Sequence, residues 1–289
     1  MTLIFLRLLN KIGILKFLIF NIRTEVYSNT FSIPIIKGIG IKNIKSTESW
    51  MVGLLHKLIP LVEDKTFIDV GVNIGQTLLK LKSVSQKMNY IGFEPNPSAV
   101  FYTNELIKSN HFKNTSLVPI GLSNKTEVLT LKMYNKSDVD AAASILAEFR
   151  PNEKVIEEKI IPIFNVNELS DIKLRLENAG ILKIDVEGAE LEVLESLEKI
   201  IEITYPFILM EILPVYNTGN TYRIERQEKI ERILYQFNYT IYRIIKSNQN
   251  NTSIAFEKIE SIGIHDDLNK CDYIFVPKNK ASVFSDIIR

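Results

Sequence analysis

The sequence predicts an α/β protein built on a mostly parallel sheet. Short apolar strands alternate with helical patterns along most of the chain, and this order is typical of parallel sheets with right-handed crossovers. A turn bracketed by glycines joins the first of these strands to a helix. Acidic residues follow several strands, at the sheet edge where ligands bind in proteins of this class.

The composition is that of an ordinary globular chain. Its 289 residues, 46% hydrophobic and 24% charged, suffice for one large domain with an N-terminal extension. A net charge of +1 gives no electrostatic reason to expect a nucleic-acid partner. The single cysteine, Cys271, excludes an intrachain disulfide and favours a cytoplasmic location. The three histidines show no metal-ligand spacing, so no metal is predicted.

The N-terminal residues 1–22 predict a helical extension. The segment is apolar, but Arg7, Lys11 and Lys16 interrupt it, which disfavours a membrane-spanning helix of about 20 apolar residues. Two interpretations remain open. The helix packs on the domain or on a second copy in a homo-oligomer, or residues 3–22 make peripheral contact with the inner membrane surface.

Two short alternating runs follow, Phe31–Ile36 and Ile39–Ile41, and they predict a β-hairpin. Apolar residues at helical spacing then predict a helix over Glu48–Leu61. The predicted division is therefore an N-terminal helix and hairpin in residues 1–45, followed by the main domain in residues 46–289.

The main domain alternates strands and helices. The predicted strands are Phe67–Val70, Tyr90–Phe93, Ser116–Ile120, Val128–Tyr134, Lys159–Phe164, Ile181–Val186, Phe207–Glu211, Tyr239–Ile245 and Tyr273–Val276. The main predicted helices are Ile74–Ser85, one that ends at Asn110, Ala189–Ile201 and Arg223–Gln236.

The turn after the first of these strands predicts a nucleotide-like ligand. Gly71 and Gly75 bracket the turn, which leaves backbone N–H groups and a helix N-terminus beside bare backbone. Glu94 follows Gly71 by 23 residues, a spacing that suits an acid bound to ribose hydroxyls. Both NAD and S-adenosylmethionine fit this pattern. Asn73 occupies the position where a dinucleotide site needs glycine, so a sulfonium cofactor with Asp69 nearby is favoured.

Carboxylates follow four strands, at Asp69, Glu94, Asp185 and Glu211. Buried carboxylates are costly when they are unpaired, so packing alone explains such a set poorly. The alternative is turn and cap chemistry, in which Asp185 or Glu187 caps the helix after it.

Three segments resemble the FkbM family of S-adenosylmethionine-dependent methyltransferases. They are Asp69-Val-Gly71-Val-Asn73-Ile-Gly75, Phe93-Glu94-Pro95-Asn96-Pro97 and Lys183-Ile-Asp185-Val-Glu187-Gly188-Ala189-Glu190. The resemblance runs from about residue 46 to about residue 245. It implies a class I (Rossmann-like) methyltransferase fold, with seven strands, helices on both faces and the last strand antiparallel. It also implies O-methyl transfer to a hydroxyl of a sugar, glycan or related metabolite.

The resemblance assigns roles to individual residues. The residues implied to line the methionine part of the cofactor are Asp69, Gly71, Asn73 and Gly75, and Glu94 with Pro95 is implied to lie at the ribose.

Asp185 would lie by the transferred methyl, and Asp185 or Glu187 is the candidate base, oriented by Lys183. Glu211 is a candidate for binding the substrate or, with those two acids, a divalent cation. Ser144 is a candidate for contacting cofactor or substrate. An NAD-dependent oxidoreductase and a non-catalytic scaffold remain the alternative functions.

Overall fold

A computed structural model of the chain describes residues 2–146, 153–246 and 254–288. The strands are β1 (Ile19–Val26), β2 (Asn29–Ile36), β3 (Thr66–Val70), β4 (Asn89–Phe93), β5 (Thr115–Val118), β6 (Gly121–Leu122), β7 (Glu127–Met133), β8 (Glu157–Phe164), β9 (Ala179–Ile184), β10 (Phe207–Glu211), β11 (Tyr239–Lys246), β12 (Ile254–Ile259) and β13 (Asp272–Pro277). The helices are α1 (Thr2–Lys11), α2 (Ser49–Leu58), α3 (Gln76–Val84), α4 (Pro97–Asn110), α5 (Ser170–Leu176), α6 (Glu190–Thr204), α7 (Thr221–Gln236) and α8 (Ala281–Ile288).

The large sheet has the strand order β12-β11-β13-β10-β9-β3-β4-β5. From β10 to β5 all neighbours are parallel, while β13 lies antiparallel between β10 and β11. Seven strands in this order, with the last strand of the chain antiparallel, confirm the predicted class I fold. β12 adds an eighth strand outside β11, which the sequence analysis does not predict.

The central strands are buried because helices cover both faces of the sheet. All residues of β3 and β9 are buried. Side chains alternate between the faces of a strand, so Phe67 packs in one core with α2, α3 and α4, and Ile68 packs in the other with α6 and α7. The parallel strands β3, β4, β9 and β10 therefore end at one edge, and their carboxyl ends are brought together there.

A separate three-stranded sheet, in the order β6-β8-β7, accompanies the large one. β8 pairs parallel with β6 and antiparallel with β7. Leu131, Ile161 and Ile163 form its own small core. The strands predicted over Val128–Tyr134 and Lys159–Phe164 thus exist, but they belong to this second sheet.

The N-terminal helix is shorter than predicted. α1 ends at Lys11, and Gly13 adopts a left-handed conformation with φ 79°. A short 3₁₀ helix follows over Ile14–Phe17, and the last residues of the predicted helix lie in β1, which pairs with β2 through a two-residue turn at Tyr27 and Ser28. The prediction of helix is confirmed as far as Lys11 and wrong beyond it, because left-handed Gly13 follows the end of α1 and burial alternates with a period of two along β1. The predicted hairpin over Phe31–Ile41 is likewise displaced toward the N-terminus.

These N-terminal elements contact the rest of the protein. Leu6 and Leu15 are buried in the same cluster as Leu54 and Leu78. Across the described residues, no helix has the length and apolar character needed to cross a membrane. The division of the chain at residue 45 stays a prediction.

Candidate active site

The glycine turn and the Asp185 segment lie against each other. Gly71 has φ 89°, and a Cβ built on it would stand 1.8 Å from the Asp185 carbonyl oxygen. The Asp185 backbone N–H donates to the Val70 carbonyl oxygen at 3.0 Å. Only glycine permits both this conformation and this approach. The first and third motifs are therefore two sides of one site.

Gly75 has a different structural role from Gly71. It precedes α3 with φ 74°, and a Cβ there would stand 2.9 Å from Leu106 Cδ2 on α4. Gly75 therefore allows close helix packing. It is not among the residues that line the main cavity.

Glu94 is held by backbone groups at the end of β4. Its Oε2 accepts the Asn73 N–H at 2.7 Å, and its Oε1 accepts the Asn96 N–H at 2.8 Å. Burial raises the pKa of Glu94 to about 7, although these two hydrogen bonds oppose the rise. The buried Asn73 Oδ1 has no hydrogen-bond partner among the described residues. A carboxylate and an unsatisfied amide oxygen thus adjoin the glycine turn.

These residues open onto a cavity of about 450 Å³ at the carboxyl edge of the sheet. Pro95 and Glu94 line one part of it, together with Gly121, Leu122 and Ile163 of the small sheet. Lys183, Asp185, Glu187 and Glu211 line another part. The predicted ribose and catalytic residues therefore share a single cavity.

Lys183 links two carboxylates beneath this cavity. Its Nζ lies 3.1 Å from Asp185 Oδ2 and 3.5 Å from Asp69 Oδ1. Burial lowers the pKa of Lys183, but the charges of Asp185 and Asp69 outweigh burial and raise it above its ordinary value. Lys183 is therefore a charged group that holds Asp185 in place.

Asp69 lies behind the cavity wall. It is fully buried, accepts a hydrogen bond from the Tyr90 hydroxyl at 2.7 Å, and does not line the cavity. This place differs from the predicted one beside the methionine part of the cofactor. The side chain projects to the face of β3 that packs against α3, because it alternates with Ile68 and Val70.

The far end of the cavity is acidic. Burial raises the pKa of Glu211 to about 9, and the charges of Asp185, Asp272 and Glu187 add to this rise. Asp272 is paired with Lys246. In the described part of the chain, no group of three or more His, Cys, Asp or Glu side chains is arranged to hold a metal ion.

Three further charged residues line this end and are not among those predicted from the sequence. Glu48 precedes α2 and pairs with the buried Lys80 of α3. Asp272 begins β13. An antiparallel strand starts at the edge where its parallel neighbours end, so an acid just before the predicted strand Tyr273–Val276 was the available signal.

Ser144 contacts the backbone of a cavity-lining residue but does not line the cavity itself. Its hydroxyl donates to the Glu187 carbonyl oxygen at 2.7 Å, and it is 1% exposed. The neighbouring Ala143 and Ile145 line the cavity, whereas Ser144 does not. Asp140 does line it, and accepts N–H bonds from Tyr134, Asn135 and Ala142.

Strand order, glycine turn and strand-end carboxylate together define a class I methyltransferase domain. The family model described as Methyltransferase FkbM domain matches residues 69–275. The chain therefore belongs to the FkbM methyltransferase family, which confirms the resemblance seen in the sequence. Membership identifies S-adenosylmethionine as the cofactor, as predicted, and separates it from the dinucleotide alternative.

Individual relatives are distant. Methyltransferase 1 of Beauveria bassiana (strain ARSEF 2860) is 25% identical over 157 residues, which make up 50% of this chain and 62% of that protein. The chain thus spans less than two thirds of this curated relative. Among solved structures, methyltransferase FkbM from Methylobacillus flagellatus KT has 14% identity and a TM-score of 0.44, over 73% of this chain and 43% of that one. The O-methyltransferase from Bacillus cereus, in complex with SAH, has 11% identity and a TM-score of 0.42, over 79% and 80%.

The residues present fit this cofactor. Glu94 has a carboxylate to which ribose hydroxyls could donate, and Asn73 Oδ1 is a buried acceptor with no hydrogen-bond partner within the described ranges. The turn at Gly71 presents backbone without a side chain. The acidic end of the cavity suits the positive charge of a sulfonium.

Proposed function

We propose that this chain transfers a methyl group from S-adenosylmethionine to a hydroxyl of a sugar, a glycan or a related metabolite. The observation that carries the proposal is one cavity with Glu94 at its nucleoside end and Asp185 and Glu211 at its other end. When bound, S-adenosylmethionine supplies an electrophilic methyl group on a sulfonium. The protein then has to align an acceptor oxygen and remove its proton.

Asp185 is the proposed base. It lines the cavity, and one of its carboxylate oxygens is held by Lys183 at 3.1 Å. A positioned carboxylate can accept the proton of a hydroxyl acceptor as the oxygen becomes a nucleophile. Lys183 fixes the direction of the carboxylate and offsets its charge when the site is empty. Glu187 lines the same wall and is the alternative base.

Glu211 is the proposed contact for a second hydroxyl of the acceptor. Because its pKa is about 9, Glu211 is protonated at neutral pH. A protonated carboxyl both donates and accepts hydrogen bonds. That property suits adjacent hydroxyl groups such as those of a sugar. A cytoplasmic location belongs to the same proposal, supported by the single buried thiol of Cys271.

The test is a methylation assay with isotopically labelled S-adenosylmethionine and glycan or metabolite extracts, followed by mass spectrometry. We expect label on oxygen of a hydroxyl-rich product. Asp185→Asn should slow transfer by roughly 10²–10⁴-fold, the usual contribution of a general base, while cofactor affinity in calorimetry changes little.

Asp171→Asn is the matched control, because Asp171 is exposed on α5, and it should behave like the wild type. Absence of S-adenosylmethionine binding by the wild type would reject the proposal as a whole. Label on nitrogen or carbon would reject the hydroxyl acceptor alone.

A further inference from the structure

A second cavity lies beside the first and is strongly basic. It measures about 760 Å³ and is bordered by α1, the segment after β2 and the segment after β7. Its cationic lining residues are Arg7, Lys11, Lys16, Lys37, Lys42 and Lys136. Among the residues that the structure describes, Asp138 is the one acid that lines it. Cations of this number around one cavity favour an anionic ligand.

The cations of α1 keep their charge available. Arg7 and Lys11 are exposed, and neither forms an ion pair with any residue in the described ranges. The sequence from residue 2 to residue 24 contains no aspartate or glutamate. The charge of this region is therefore free to act on a ligand outside the chain.

Beside this cavity, α1 presents apolar side chains to solvent. Ile4, Phe5, Leu8 and Ile12 are between 54% and 76% exposed. At 100° per residue they occupy one sector of the helix of about 100°. After the helix, Phe17 is 87% exposed. These five residues are here called the apolar face.

The helix thus has three sectors. Leu6, 3% exposed, holds one sector on the protein core. The part of the apolar face that precedes Phe17 forms the second sector, and Arg7 with Lys11 forms the third, toward the basic cavity. A helix with one sector docked, one apolar and one cationic has the pattern of interfacial membrane helices, whose apolar residues enter the acyl boundary while cations meet headgroups.

We propose that the apolar face and the basic cavity together bind an anionic lipid bilayer. The apolar face inserts at the acyl boundary, and the cavity receives the phosphate of a lipid headgroup. Charge complementarity selects this occupant, because anionic lipids attract clustered lysine and arginine. The inference is independent of the proposed methyl transfer.

A second copy of the chain is a poorer occupant. In a symmetric dimer, each patch meets its own copy. Arg7, Lys11 and Lys16 would then approach the same cations across the interface, with no acid from residues 2–24 to neutralise them. A bilayer with anionic headgroups removes this repulsion.

The two cavities are neighbours. Asn73, Gln76 and Ala141 line both. A headgroup phosphate held in the basic cavity would therefore lie next to the candidate methyl-donor site. This placement would bring a bilayer surface and the reaction site together.

The test is co-sedimentation of the full chain with vesicles of phosphatidylcholine alone and of phosphatidylcholine mixed with phosphatidylglycerol. We expect binding to the mixed vesicles only. The paired change Phe5→Ser with Phe17→Ser, and separately Arg7→Glu with Lys11→Glu, should each weaken binding roughly tenfold or more.

Exposed residues elsewhere provide matched controls. Leu174→Ser alters a 70% exposed leucine on α5, and Lys258→Glu alters an exposed lysine on β12. Both should bind vesicles as the wild type does. Circular dichroism and S-adenosylmethionine binding would show that every variant is folded.

Three results would overturn the inference. One is equal binding to neutral and anionic vesicles, and another is vesicle binding that the paired changes leave unaltered. The third is pyrophosphate binding in calorimetry without vesicle binding, which would assign the cavity to a free phosphate compound. Light scattering without vesicles adds a further check. If the chain binds no vesicles but forms a dimer, and Phe17→Ser dissociates that dimer, the apolar face would instead bind a second copy of the chain.

Discussion

The two ends of the main cavity are built differently. At the end that contains Glu94, the backbone N–H groups of Asn73 and Asn96 donate to its carboxylate. Asn73 lies in the turn after β3, and Glu94 and Asn96 directly follow the neighbouring strand β4. At the acidic end, side-chain charges meet from distant parts of the chain, including Glu48, Lys183 and Asp272. Backbone hydrogen bonds fix the geometry of the first end, whereas the second end depends on how its positive and negative side chains offset one another. Substitutions should therefore disrupt the first end by geometry and the second by electrostatics.

Gly71→Ala should have the largest effect. Its Cβ would stand 1.8 Å from the Asp185 carbonyl oxygen, so the strand ends must separate. Strain at positive φ alone costs about 1–3 kcal/mol, and the clash adds to it. We expect lower stability in denaturant unfolding and loss of cofactor binding in calorimetry.

Gly13→Ala provides the comparison, because Gly13 has φ 79° but none of the described residues beyond its chain neighbours has an atom within 4 Å of a built Cβ. Only conformational strain of about 1–2 kcal/mol is expected there. Equal losses for the two variants would show that the approach of Gly71 to Asp185 does not matter.

Lys183→Met should destabilise the acidic end next most strongly. It leaves Asp69 buried without its cation, and breaking a buried ion pair costs about 3–5 kcal/mol. Adding Asp69→Asn should recover part of this loss in urea unfolding, since the unpaired charge is then absent. Strictly additive losses in the double variant would contradict the role of Lys183 as the counter-ion.

Glu94→Gln should weaken S-adenosylmethionine binding roughly 10–100-fold, as expected for losing hydrogen bonds to a charged group. In the wild type the pKa of Glu94 is about 7. Ribose hydroxyls donate to the ionised carboxylate, so affinity should rise between about pH 6 and 8. Calorimetry across this range should show the rise in the wild type and not in the variant. A parallel rise in both proteins would assign the dependence to another group.

Glu211→Gln should have the opposite sign, because it raises stability where the preceding changes lower stability or affinity. The folded-state pKa of Glu211 is about 9, above its ordinary value of 4.5. The stability that this group contributes is therefore complete below the ordinary pKa and is lost as pH rises toward about 9. Glutamine stays neutral, so the variant should melt at a higher temperature than the wild type at neutral and alkaline pH. The two proteins should converge under acidic conditions, and a constant difference at all pH values would argue against titration of Glu211.

Much of the site could be predicted from the order of the motifs along the chain. Gly71, Glu94 and Asp185 follow individual strands, and parallel strands place their ends at one edge. Asp69 lies within β3, before the strand ends, so its side chain is buried below the cavity lining and is paired there with Lys183. The position of a residue along a strand predicts how close it lies to the edge of the sheet. It does not predict which residues its side chain contacts.

The N-terminal segment shows a second limit. Apolar residues with scattered cations fit a helix over residues 1–22, but pairing of β1 with β2 decided the conformation from Ile19 onward. Hydrogen bonds to a partner strand outweigh weak local preference. Likewise β7 and β8 were predicted as strands, and only their packing placed them in the sheet above the cavity.

By itself, the sequence determined the α/β class, the glycine turn, the acid that follows β4 and the family, because these depend on short runs of adjacent residues. Tertiary structure alone decided that Glu48 and Lys80 join the acidic end. It also set the pKa of Glu211 and brought the basic cavity beside the apolar face of α1. Charge and burial depend on distances between segments far apart in the chain, and no local pattern encodes those distances.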